Sequence, residues 1–129
     1  MKASMINNVR FHYLYRDGSN YKKWADIVFS NPDDLLTDIV AKGLRSAFLE
    51  DGLFIAHKVR VPEIFLAAED HLTSDDHCFH EFDTVQSTFD VPNDVYSRSI
   101  RGFMVEVSNE AMRGWRAFDP QDRFPLQGG

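Results

Sequence analysis

The chain has one cysteine, Cys78, so no disulfide can form within it. It has no run approaching the roughly 18 apolar residues of a membrane-spanning helix, so no membrane association is expected. The opening "MKASMINNVRF" lacks an apolar run ahead of a small-residue cleavage site, and no signal peptide is expected. Together these suit a reducing, cytoplasmic setting. Lysine and arginine are missing from residues 61–97, which hold Glu63, Glu69, Asp70, Asp75, Asp76, Glu81, Asp83, Asp90 and Asp94. With a net charge of −6, this block argues against phosphate-driven nucleic-acid binding. It leaves a solvated acidic face, a cation site or a docking surface for a basic partner. Also absent are a Gly-x-Ser-x-Gly elbow, a P-loop, a His-Glu-x-x-His helix and a Cys-x-x-Cys pair. Each absence removes one familiar kind of catalytic machinery.

What the chain does have is an ordinary globular composition: 43% hydrophobic and 26% charged residues in 129 positions. That length fits one domain and can bury roughly two-thirds of its unfolded surface. Phenylalanine occurs 11 times, which predicts an aromatic core. "VRFHYLY", residues 9–15, alternates in the period of a strand, and "WADIVFS" reads as a second strand. Asp-Gly in "RDGSN" between them marks a turn, so residues 9–30 form an antiparallel hairpin.

"SNPDDLLTDIVAKGLRSAFLEDG" carries the clearest helix signals. Ser30 or Asn31 can cap, Pro32 suits the first turn, and Asp33 and Asp34 complement the dipole. Leu35, Leu36, Ile39, Val40, Leu44, Ala47 and Phe48 form one apolar stripe, and Gly52 suits a stop. Gly43 inside the helix suggests close approach to a sheet. "LFIAHKVRV" then reads as a strand and "HCFHEFDTV" as another. From Asp94 to about Phe118 helical spacing competes with a strand at "FMVEV". The expected domain covers residues 1–118, with a flexible tail over 119–129. The fold class is α+β: a single antiparallel sheet of about four strands with two helices on one face.

Two clusters carry candidate chemistry. In "DDHCFHEFD", residues 75–83, histidines, a cysteine and carboxylates crowd together. His71, His77 and His80, with Asp76 as oxygen donor, form a candidate metal set, for which zinc is the natural ion. On a strand His77 and His80 point to opposite faces, so the set converges only if its start is looped or helical. Otherwise Cys78 and Phe82 are core residues and His80 is a hydrogen-bonded, partly buried histidine. The anions around Cys78 would raise its pKa, the reverse of what a thiolate nucleophile needs. The expectation is therefore no cofactor, with zinc as the alternative.

The second cluster is "YLYRDGSNYKKW", residues 13–24. Aromatics interleaved with cations suit either an aromatic hairpin steadied by cation–π pairs or a binding surface. Tyr15, Arg16, Tyr21, Lys22 and Trp24 are the candidate surface residues for a protein partner or self-association.

The motifs Tyr15-Arg16-Asp17-x-x-Asn20-Tyr21-Lys22-x-Trp24 and Asp76-His77-x-x-His80-Glu81-Phe82 resemble those of a set of small uncharacterised bacterial proteins. The resemblance implies a bacterial source and a single module containing both clusters. It brings no activity with it. The closing "LQGG" and the strand–strand–helix–strand order resemble ubiquitin-like modifiers, but a helix ahead of the tail departs from that family, and a plain chain end is expected. The functional expectation is a non-catalytic binding module. The alternative is a metal- or histidine-assisted hydrolase on His71, His77 and His80.

Overall fold

A computed structural model describes residues 7–16, 21–64 and 79–115. Four strands form one sheet in the order β2-β1-β4-β3, all neighbours antiparallel. They are β1 (Asn8–Arg16), β2 (Lys22–Phe29), β3 (Leu53–Phe54) and β4 (His80–Thr88), with helices α1 (Thr37–Ala47) and α2 (Ile100–Arg113). The α+β expectation holds, including the strand–strand–helix–strand–strand–helix order. Among the described residues no helix is long and apolar enough to cross a membrane.

Alternation in β1 decides which face is buried. Val9, Phe11 and Tyr13 meet Val40 and Leu44 of α1 and Ile100, Phe103 and Val107 of α2 in one core. Both helices therefore cover the same face of the sheet. Phe11 is the hub: its ring lies within 6.4 Å, centroid to centroid, of Tyr13, Phe29, Phe48, Phe54, Phe82 and Phe103. The abundance of phenylalanine is spent here.

Strict alternation in β4 would put Phe82 and Val85 on opposite faces, yet both enter the core. The ladder explains it: His12 pairs with Thr84 and Tyr13 with Phe82, so Asp83 is an extra residue. This bulge changes the parity of the strand and turns Val85 inward.

Several boundaries differ from the sequence expectation. Helix α1 begins at Thr37, not after Asn31. The Asn31 side chain bonds both the N–H and the carbonyl of Leu35, and Asp34 takes a left-handed φ of 53°, so the segment is a side-chain-held loop. Asp33 does not serve the helix dipole but pairs with Arg101 at 2.9 Å. Leu36 and Ile39 consequently stand exposed. Gly43 admits α2 rather than the sheet: a Cβ there would lie 2.7 Å from the Met104 methyl carbon.

The expected strand over residues 53–61 stops at Phe54, because β4 offers partners only at Glu81 and His80. Beyond it a 3-10 turn, Ala56–Val59, ends at Arg60 in the left-handed region. Arg98 fixes that turn, donating to the carbonyls of Val59 (2.7 Å) and Arg60 (2.8 Å). Residues 100–108 are helical, which removes the strand alternative. Helix α2 starts later than Asp94, capped by the Ser99 hydroxyl accepting from the Gly102 N–H, and ends at Arg113 before Gly114. The Gly-Gly terminus and the 119–129 tail lie outside the described residues.

Candidate binding surface

The sheet brings the described parts of both sequence motifs to one end. Arg16 pairs with Lys22 and Leu14 with Trp24 across β1 and β2, while Leu14 and Tyr13 face Glu81 and Phe82 across β1 and β4. Alternation then divides them between faces.

On the inner side sit Tyr13, Tyr15 and His80, all fully buried. The His80 ring lies 5.3 Å from Tyr15, 6.0 Å from Tyr13 and 6.1 Å from Phe54. Its Nε2 accepts from the Ile64 N–H at 3.0 Å, so this nitrogen is the unprotonated one and its lone pair is in use. His80 cannot also offer Nε2 to a metal. Among the described residues no three His, Cys, Asp or Glu side chains gather as a metal set. His71, Asp76, His77 and Cys78 lie outside the described residues. Tyr15, expected on the binding surface, is a core residue instead: its position on β1 gives it the parity of Tyr13. Nearby, burial raises the Tyr13 hydroxyl, with a further push from the Asp26 charge, and this un-ionised group donates to the Pro62 carbonyl at 2.7 Å.

On the outer side Arg16 grips Glu81 with two bonds, Nε at 2.7 Å and a terminal nitrogen at 3.1 Å. This bidentate pair joins the Tyr-Arg-Asp motif to the His-Glu-Phe motif across 65 positions. Both side chains line an open groove of about 720 Å³ against the α1–β3 turn, together with Arg45, Phe48, Leu49, Glu50, Asp51 and Leu53. Arg45 lies over the Phe82 ring at 4.8 Å. The lining carries charges of both signs, so it selects neither a simple anion nor a simple cation.

Tyr21, Lys22 and Trp24 continue this end of the molecule at the β2 edge. Tyr21 is 70% and Trp24 57% exposed, and Lys22 is exposed as well. Among the described residues, the other largely exposed aromatics are Phe89, in the loop after β4, and Tyr96, whose ring is stacked by Arg60 at 4.4 Å. Arg16, Lys22 and Trp24 share the outer side at this end of the sheet, and Tyr21 precedes β2. What sequence reasoning missed was Glu81 as the partner that fixes Arg16, and Arg45 and Glu50 in the groove. In the sequence Glu81 stands within the "DDHCFHEFD" cluster, and only the strand order joins it to Arg16.

Comparison with protein-family models, with curated proteins and with solved structures returns no match.

Proposed function

We propose that this chain is a non-catalytic interaction module that engages a protein partner through the β2 end of its sheet. The observation that carries this reading is the exposure of Trp24 and Lys22 on one face of an edge strand, with the exposed Tyr21 just ahead of it. Tryptophan, tyrosine and arginine are the residues that most often anchor interfaces, because a large rigid ring buries much area at small entropic cost. Arg16, held in one geometry by Glu81, adds a preorganised guanidinium beside them. The engagement of His80 in the core supports a structural rather than a proton-transferring role for the histidine motif. The single cysteine suits a reducing, cytoplasmic setting.

The test is partner capture by the immobilised chain. Tyr21→Ala with Trp24→Ala should abolish capture while changing stability by no more than about 1 kcal/mol, since both rings stand largely in solvent. Undiminished capture by the folded double variant would refute the reading.

A further inference from the structure

Strand β2 lies at the outside of the sheet, with β1 on one side of it. Its backbone therefore presents every second N–H and C=O away from β1. Val28 shows which set faces out: its N–H donates to the Asn93 side chain and its carbonyl accepts from the Asn93 N–H, both at 2.9 Å. By the period of two, Asp26, Trp24 and Lys22 turn their backbone groups the same way. Among the described residues, none bonds the outward backbone of these three. Folded proteins normally blunt such an edge, because it is a template for another strand. Here Asn93 closes the edge at Val28, and no described residue closes it over residues 22–26.

The side chains on this open stretch are self-complementary. We infer that a second copy of this chain is the partner, joined by antiparallel pairing of the two β2 strands about a two-fold axis at Trp24. The inference rests on the interaction reading above and names its partner. In this register Lys22 faces Asp26 of the second copy, Asp26 faces Lys22, and the two Trp24 rings adjoin. All three are pairs whose backbone groups point at each other, which yields about six hydrogen bonds. The symmetric alternatives are worse. An axis one residue earlier sets Lys23 against Lys23, and one two residues later sets Asp26 against Asp26. Like charges directly opposite on paired strands repel. An axis at Ala25 brings Lys22 opposite Val28, whose backbone Asn93 already occupies. Asp26 is free to take the bridging role, because its other ion pair, with Arg10 at 3.3 Å, engages one carboxylate oxygen. An isologous contact of this kind closes on itself and does not propagate into a filament.

The test is sedimentation of the full chain over a range of concentrations, with charge exchange across the seam. Wild type should pass from monomer to dimer. Lys22→Asp alone opposes carboxylates to carboxylates and Asp26→Lys alone opposes ammonium groups to ammonium groups. Each should weaken self-association by about tenfold or more. An equimolar mixture of the two variants restores both opposite-charge pairs in the heterodimer and should recover the wild-type association. Damage to the fold cannot produce that recovery, and melting curves confirm that each variant is folded. A wild type that stays monomeric, single variants that dimerise as well as wild type, or a mixture that stays monomeric would each overturn the inference. A monomeric wild type whose partner capture still depends on Trp24 would overturn self-pairing alone and leave the interaction reading intact.

Discussion

Asp94→Asn is the substitution whose consequence can be worked most fully from the structure. The Asp94 and Arg98 side chains are 2% and 7% exposed and joined by two bonds of 2.9 Å. The Arg98 backbone N–H adds a third bond to the same carboxylate. The guanidinium also reaches Glu106 at 3.3 Å and holds the carbonyls of Val59 and Arg60. Removing one partner of a buried pair costs about 3–5 kcal/mol, because the other charge stays buried and uncompensated. The amide keeps an oxygen for Arg98 but turns a donor toward the cation, so about 3 kcal/mol is expected. With about 2.1 cal/mol/K of unfolding entropy per residue over 129 residues, the melting temperature should fall by roughly 10 °C.

The pH dependence gives a second reading of the same variant. Burial alone would raise the Asp94 carboxyl, but the hydrogen bonds and charge of Arg98 outweigh it and hold the group below the usual carboxylate range. Glu106 is held low as well, first by its bond from Arg60 and then by the charges of Arg98 and Arg60. A carboxyl depressed on folding stabilises the protein above its unfolded value, and the gain disappears as pH falls through the folded value. Wild type should therefore lose its advantage over Asp94→Asn below about pH 4. Calorimetry at pH 7 and along a descending pH series is the assay. A drop of less than about 3 °C at pH 7, or a gap unchanged at low pH, would refute the reasoning.

Three further substitutions test the core and the turns. Phe11→Ala empties the centre of the aromatic cluster and should cost about 3–5 kcal/mol in denaturant unfolding. Gly52→Ala meets a φ of 75° and Phe82 backbone at 3.4 Å, so a loss of about 1–2 kcal/mol is expected. Gly43→Ala should stay within about 1 kcal/mol of wild type, because the end of the flexible Met104 side chain can move aside and the helix gains propensity.

Alternation and helical spacing located β1, β2, β4 and α2, because each buries one face against a large core. They failed where local side-chain chemistry outweighs periodicity. Asn31 binds the Leu35 backbone and delays α1. Arg98 ties the carbonyls of Val59 and Arg60 and so curls what reads as a strand. The Asp83 bulge was hidden, since a ladder irregularity depends on the opposing strand. For the site, the composition of the hairpin was visible as an interface candidate. The burial of Tyr15 was legible, since it shares the alternation of Val9, Phe11 and Tyr13 along β1, but the aromatic and cationic composition of the hairpin masked it. The Arg16–Glu81 pair and the open β2 edge follow from strand order, which one sequence does not encode locally.

Amide hydrogen exchange along β2 tests the central claim most directly, that its outward edge is the binding surface. In dilute protein the amides of Lys22, Trp24 and Asp26 should exchange fast, while those of Ala25 and Ile27, turned toward β1, stay protected. In concentrated protein the outward amides should become protected while the inward ones change little. Outward amides that exchange equally fast at every concentration and in the presence of any captured partner would contradict the account.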